Sequence, residues 1–230
     1  MSETVLKNGF AEAKPIAIEG TLVRLEPLNV DRHAQDLFEA GHVPDRAEKY
    51  RYLPDQPPET PDSIRDWAAR VASIADPMFF AVVDRTTGKA IGRQALMRID
   101  ATHGVAEVGH IYWGPNMARS AKATEALYLT MRHVFEDLGY RRFEWKCDAA
   151  NQPSRNAAKR FGFAFEGIFR QHLIVKGKNR DTAWFSVVDG EWPALKEAYV
   201  AWLSPSNFDA EGRQITALSA LTETALKALR

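Results

Sequence analysis

The residues best suited to chemistry lie between Glu107 and Phe163, in E-V-G-H-I-Y-W-G-P, then A-R-S-A-K-A-T-E-A, and later D-A-A-N-Q-P-S-R-N-A-A-K-R-F-G-F. The small, polar run Ala118–Ala123 opens a long helix-forming segment. The first N–H groups of a helix have no partner within it, and together with the helix dipole they make a site for a pyrophosphate. Arg119 and Lys122 add positive charge there, although an ordinary solvated helix start has the same composition. Asn151 and Ser154 stand at the mouth of a second helix, where their side chains satisfy orphan N–H groups. Glu107 and His110 are titratable groups on one strand, and regular alternation puts them on opposite faces. A strand glutamate also pairs readily with an arginine such as Arg93 or Arg98, and a strand histidine can simply pack. Cys147, beside Phe143 and Trp145, reads as a small hydrophobe and carries no sign of a low-pKa thiol.

The elements that must position these groups follow from periodicity. Gly20 to Leu28 reads as a first strand after an N-terminal arm of residues 1–19. Asp31 is the expected N-cap of a helix with Ala34, Leu37 and Phe38 inward, ended by Gly41. Five prolines (44, 54, 57, 58 and 61) make the following stretch a loop. Thr60 then caps a second helix with Pro61 in its first turn and Ile64, Trp67, Ala68 and Val71 as its core face. Phe79–Val83, Ile91–Ile99 and Val105–Trp113 form an antiparallel meander. The best helix carries Leu127, Met131, Val134, Phe135 and Leu138 inward, with Gly139 just beyond. Tyr140–Asp148 alternates Phe143, Trp145 and Cys147 with Arg142, Glu144 and Lys146, which predicts a sheet buried on one side only. A helix from Pro153 to Phe161 stops at Gly162. Strands Phe163–Val175 and Thr182–Val188 are joined by a turn over 176–181, and a helix over Glu191–Leu203 follows. The last segment, 204–230, is a loop and an amphipathic helix with Ile215, Leu218, Leu221, Ala225 and Leu229 in one stripe. That stripe is either a lid on the chain's own core or a homodimer surface.

Length and composition bound the reading. The chain has 230 residues, 45% of them hydrophobic, and mean hydropathy of -0.34, enough for one large α+β domain with an appended helix. Thirty basic and thirty acidic residues cancel, so the electrostatic footprint of a nucleic-acid or membrane-surface protein is missing and any anion site is local. One cysteine and no Cys/His cluster with zinc spacing predict a reducing compartment and no metal. The absence of an apolar span or a secretory leader predicts a cytoplasmic protein.

The three quoted segments resemble the GNAT superfamily of acyl-CoA N-acyltransferases, and within it the ribosomal-protein-alanine N-acetyltransferase-like branch. That branch reads E-[IV]-G-Y, then G-x-G-x-A-T-E-A, then N-x-x-S with G-F some eight residues on. The resemblance spans Gly20 to Trp202. It implies the acyl-CoA N-acyltransferase fold, a mixed and mostly antiparallel sheet flanked by helices, over residues 20–203. It also implies transfer of an acetyl group from acetyl-CoA to a primary amine, a protein N-terminus or a small molecule, by direct attack without a metal.

Carried over residue by residue, Arg119, Ser120, Ala121, Lys122, Ala123 and Thr124 bind the pyrophosphate, and Asn151 holds the pantetheine arm. Backbone N–H groups of Ile111, Tyr112 and Trp113 stabilise the tetrahedral intermediate. Ser154 protonates the departing thiolate. Glu107, at the carboxylate position, is the expected base for the amine. His110, where the family has an aromatic residue, is a second candidate base, and with His172 and Trp184 it lines the acceptor pocket. The Pro-rich loop Val43–Pro61 is where acceptor specificity would be written. Arg119 and Ala121 stand at the two glycine positions of the branch, where a left-handed backbone would be strained. That departure motivates the alternative of a non-catalytic acyl-CoA-binding sensor or scaffold.

Overall fold

The computed structural model describes residues 9–229. The described part of the arm is laid across the domain, with Phe10 edge-on to Tyr140 at 5.9 Å. Two strands follow, β1 (Ile18–Glu19) and β2 (Val23–Pro27), and then helix α1 (Val30–Gly41). Its N-cap is Asn29, whose side chain accepts from the Arg32 N–H, so the expected cap at Asp31 is corrected by two residues. Asp31 lies instead in the first turn, where a negative charge suits the dipole. The Pro-rich stretch, expected to be loop throughout, contains one helical turn, α2 (Arg46–Lys49), in the proline-free part of its sequence. Helix α3 (Pro61–Ala72) has the predicted start: Thr60 and Ser63 cap each other's backbone, and Pro61 fills the first turn.

Strands β3 (Met78–Asp84), β4 (Ala90–Asp100) and β5 (Val105–Trp113) form the expected meander. Helix α4 (Ala121–Arg132) runs on through a wider π turn over His133–Asp137, which the 3.6-residue stripe did not announce. Strand β6 (Arg142–Asp148), helix α5 (Gln152–Arg160), strands β7 (Ala164–Val175) and β8 (Lys178–Val188), helix α6 (Trp192–Leu203) and helix α7 (Leu218–Lys227) complete the order. The turn between β7 and β8 is only Lys176-Gly177, both at positive φ (49° and 74°), so β8 begins four residues earlier than expected. Two central residues of that hand match the strand twist, and they let the hairpin continue its ladder to the tip.

Among the described residues the eight strands make one sheet in the order β1-β2-β3-β4-β5-β6-β8-β7. Helices α1 and α3 cover one face through Leu37, Trp67 and Phe79. Helices α4, α5 and α6 cover the other through Leu127, Phe143, Trp145, Phe161 and Tyr199. Leu218 of α7 is completely buried in that second core, and the Thr222 hydroxyl donates to the Arg160 carbonyl. Most of the C-terminal stripe therefore closes the chain's own core, while Ile215 and Leu229 stay exposed. Gly162 makes this close approach feasible: at φ 86°, a Cβ there would come within 2.6 Å of Leu195.

One departure from regular pairing creates the site. β5 pairs with β6 in parallel only over Val105–Val108 against Arg142–Trp145, and beyond those residues the two strands part. Within β5, Tyr112 pairs with Arg93 and Gly109 with Ala95, so His110 and Ile111 together oppose Gln94. This is a β-bulge, with His110 at φ 49°.

Candidate active site

Both strands that part lead into helices, so the opening between them is flanked by two helix N-termini. At the first, the Ser120 side chain accepts from none of the leading N–H groups of α4, and its hydroxyl instead donates to the Met117 carbonyl at 2.6 Å. The leading N–H groups of α4 are thereby left for an anion. Arg119 adopts the left-handed backbone, φ 61°, at the position where glycine was expected, while Ala121 is the first helical residue and needs no such freedom. Lys122, expected to face phosphate, is instead ion-paired with Asp84 at 2.7 Å, which ties the loop to the end of β3. Ala123 and Thr124 are buried in the first turn. The Arg160 guanidinium reaches the Thr124 hydroxyl at 3.3 Å and stacks near the Phe161 and Trp202 rings. Glu125 of the same motif has a structural task that its sequence position did not reveal. Its carboxylate accepts from the N–H groups of Thr21, Leu22 and Val23, anchoring the turn into β2 on α4.

At the second N-terminus, the Asn151 side chain accepts from the Ser154 N–H at 3.2 Å, so its capping reading is the one seen. Ser154 also accepts from Trp145 Nε1 at 3.0 Å. That contact fills an acceptor lone pair on the hydroxyl and leaves its proton to be donated elsewhere. Burial pushes the neighbouring Cys147 thiol up, against the opposing effect of Ser154, as befits an inert core cysteine.

The bulge corrects the expected geometry of Glu107 and His110. The extra residue reverses the alternation, and both side chains face the side of the sheet that carries α1 and α3. His110 packs on Phe79 at 5.0 Å, and Tyr112 on that face donates to the Ala40 carbonyl at 2.8 Å. Ile111 and Trp113 turn to the other core, where Trp113 Nε1 donates to Gln94.

The polar face of β6 is corrected as well. Glu107, Glu144 and Lys146 are all buried, because they satisfy one another in place of water. Glu107 Oε2 lies 2.6 Å from Arg98 and 3.0 Å from Lys146, and Lys146 reaches Glu144 at 2.6 Å. Glu144 continues to Arg142 and thence to Glu166 on β7. Lys146 also lies 3.9 Å over the Trp184 ring, so a cation of the chain itself already covers that indole. Asp181 serves the hairpin, accepting from Gln171 N–H and Asn179. His172 Nδ1 meets the Thr182 hydroxyl at 3.0 Å, with Phe169 edge-on at 4.8 Å, and burial lowers its pKa from the ordinary histidine value.

Of the two arginines expected as partners for Glu107, Arg98 pairs with it and Arg93 pairs with Asp55, while Asp55, Lys146 and Lys176 have no expected place in this site. Arg93 had one legible signal, a guanidinium inside the apolar run of β4. Among the described residues, no group of three or more His, Cys, Asp or Glu side chains is placed to hold a metal ion. No helix among them is long and apolar enough to cross a membrane.

Comparison with known proteins places this arrangement. A family model described as the acetyltransferase (GNAT) domain matches residues 23–164. The crystal structure of a GCN5-related N-acetyltransferase from Brucella melitensis is 52% identical and superposes with a TM-score of 0.92, covering 94% of this chain and 97% of that one. YdaF of Bacillus subtilis (strain 168), provisionally named a ribosomal N-acetyltransferase, is 26% identical over 76% of this chain and 94% of its own length. The protein p20 of Bacillus licheniformis, named an uncharacterized N-acetyltransferase, is 28% identical over 49% of this chain, and the chain spans 63% of its length.

Proposed function

The chain belongs to the GNAT family of N-acetyltransferases, and from that premise we propose that it moves an acetyl group from acetyl-CoA to a primary amine, either a protein N-terminus or an amine-bearing small molecule. The observation that carries this reading is the parting of β5 from β6 immediately ahead of an α4 N-terminus with no side-chain cap. The strands leave room for a thioester arm, and the helix start offers N–H groups to a pyrophosphate. Arg119 and Arg160 supply charge beside it. The pantetheine arm runs past Asn151 toward Ser154. N–H groups of the bulged strand, from Ile111 to Trp113, meet the carbonyl oxygen as negative charge develops there.

Glu107 is the carboxylate that meets the acceptor. Its face is shared with His110, and the half-exposed Arg98 on its Oε2 is the contact an incoming ammonium group would displace. The amine nitrogen attacks the thioester carbon, the C–S bond breaks, the sulfur takes the proton of the Ser154 hydroxyl, which Trp145 has oriented, and the proton that the nitrogen loses as the amide forms restores that hydroxyl through solvent. His172 and Trp184 border the acceptor's side of the opening. The relative named for ribosomal N-acetylation favours a protein N-terminus as acceptor.

Calorimetric titration with acetyl-CoA, alongside release of free thiol against a panel of amines and N-terminal peptides, tests the reading. Binding with amine-dependent thiol release is the expected result, and no binding overturns it. The second reading, a sensor that binds acyl-CoA without turnover, draws on Arg119 at a glycine position. Glu107→Gln separates the two. An enzyme keeps its acetyl-CoA affinity and loses on the order of 100-fold in turnover, whereas a sensor has no turnover to lose.

A further inference from the structure

Arg93 is a guanidinium with only 2% of its side chain exposed. Its Nη2 donates to Asp55 Oδ2 at 2.7 Å, and its Nη1 donates to the carbonyl of the bulged residue His110 at 3.0 Å. Trp67, whose ring lies 4.3 Å below that guanidinium, donates its Nε1 to Asp55 Oδ1 at 3.2 Å. The Asp55 carbonyl in turn accepts from Lys176 Nζ at 3.1 Å, and the same ammonium holds the Tyr50 carbonyl at 3.0 Å. Asp55 is thus fixed by β4, by α3 and by the β7–β8 turn, which is strong restraint for a residue of a Pro-rich loop. Its Oδ2 lies 4.0 Å from His110 Nδ1. That nitrogen is buried and has no hydrogen-bond partner among the described residues. Buried polar atoms are rarely left unsatisfied, and hydrogen bonds that are long in a ligand-free site commonly tighten when substrate enters.

We infer that Asp55 is a positioning residue for His110: its carboxylate accepts from Nδ1–H and leaves Nε2 to take the proton of the acceptor's ammonium group. The inference rests on the acetyl-transfer reading above. Glu107 attracts the ammonium group but already shares its Oε2 with Arg98 and Lys146, whereas no cation among the described residues is hydrogen-bonded to His110 Nδ1. In the step, one proton passes from R–NH3+ to Nε2 and the freed lone pair attacks the thioester carbon. The C–S bond then breaks with its electron pair on sulfur, which Ser154 protonates. The second N–H proton, lost as the nitrogen becomes an amide, restores the Ser154 hydroxyl through solvent. The imidazolium returns its proton to water.

The charged groups that act on the ring are Asp55 from the loop and Arg93 and Arg98 from β4, with Glu107 and Tyr112 on the same face of its own strand. Burial holds the His110 pKa below the ordinary histidine value; Asp55 opposes this, and Arg93 and Arg98 add to it. A neutral imidazole at pH 7 is the form able to accept a proton.

The test combines NMR titration of the His110 ring with the pH dependence of thiol release. It uses the full chain, acetyl-CoA, and an alanine-starting peptide or the best acceptor of the panel. Asp55→Asn removes the carboxylate that favours the imidazolium. The His110 titration is therefore expected to move to lower pH, and the acid limb of the kcat profile to move with it. The plateau should fall about 10- to 100-fold with acetyl-CoA affinity unchanged. His110→Asn, a side chain tolerated at positive φ, should fold and lose that limb altogether. A His110 titration identical in wild type and Asp55→Asn, or wild-type turnover in His110→Asn, overturns the inference. If the wild type binds acetyl-CoA but acetylates nothing, the transfer reading fails and takes the proton-accepting role with it. The NMR titration then still decides whether Asp55 governs His110.

Discussion

Ser154 shows how one side chain can satisfy two readings of the same sequence. Its backbone N–H is the group that Asn151 caps, while its hydroxyl oxygen is engaged by Trp145 Nε1 and its proton remains available. Ser154→Ala removes that proton donor together with the acceptor of Trp145 Nε1, and should lower kcat on the order of 10- to 100-fold without changing acetyl-CoA affinity, measured by thiol release and calorimetry. An unchanged kcat would show that water protonates the thiolate. Asn151 and Ser154 were legible because helix-start chemistry is local. The burial of Glu107, Glu144 and Lys146 was not, because alternation reports which face a residue takes but not what covers that face. Here the opposite charges cover one another, so three residues that look solvent-facing lie in the interior.

The loop into α4 is the element in which the departure from the family pattern is settled. Ala121 lies inside the helix, so only Arg119 bears a left-handed backbone. A non-glycine residue there costs roughly 1 kcal/mol, and this one adds a positive charge to the loop that leads into the α4 N-terminus. Arg119→Gly and Arg119→Ala separate strain from charge. Both should weaken acetyl-CoA binding, but the glycine variant should be about 1 kcal/mol more stable than the alanine variant in urea unfolding. Equal stability would remove the strain argument. The strand β5 carries the parallel lesson. Its bounds follow from its alternating residues, while the bulge at His110 follows from pairing with β4 and has one local signal, Gly109 immediately before it.

For the whole molecule, α7 and the acid-sensitive pairs decide robustness. Truncation after Ser206 removes Phe208, Leu218 and Leu221 from the core and should cost on the order of 4–6 kcal/mol, lowering the melting temperature with no change in oligomeric state by sizing. A truncated chain that melts normally but halves in mass would identify the stripe as a dimer surface. Acid should unfold the protein through its paired carboxylates. The Arg142 guanidinium holds Glu166 below the usual range against the pull of burial. At Asp84, burial raises the pKa but is outweighed by Lys122 and the Thr86 N–H. Groups lowered by folding stabilise above their unfolded values, about 4.3 for Glu and 3.9 for Asp, and lose that contribution as pH falls through the folded values. Urea midpoints should therefore begin to fall below about 6.5, where the unfolded chain protonates His110 and His172 before the folded one does, and fall more steeply below about 4.5 as the paired carboxylates titrate. A flat profile to pH 3 would mean these pairs contribute nothing.

By itself the amino-acid sequence determined the order of elements, the inward stripes of α3 and α4, the meander, and the helix starts at Thr60 and Asn151, because each depends on residues close along the chain. Those same local motifs were enough to point to acyl-CoA chemistry. Only the tertiary structure decided that Glu107 and His110 share a face, that Lys122 belongs to Asp84 and Lys146 to Glu107, and that Asp55 stands beside His110. The first depends on how β5 pairs with β4, and the others join a strand residue to one on another strand, a helix or a distant loop. Which charge meets which is set by sheet register and by the bulge, where one extra residue exchanges the two faces of a strand.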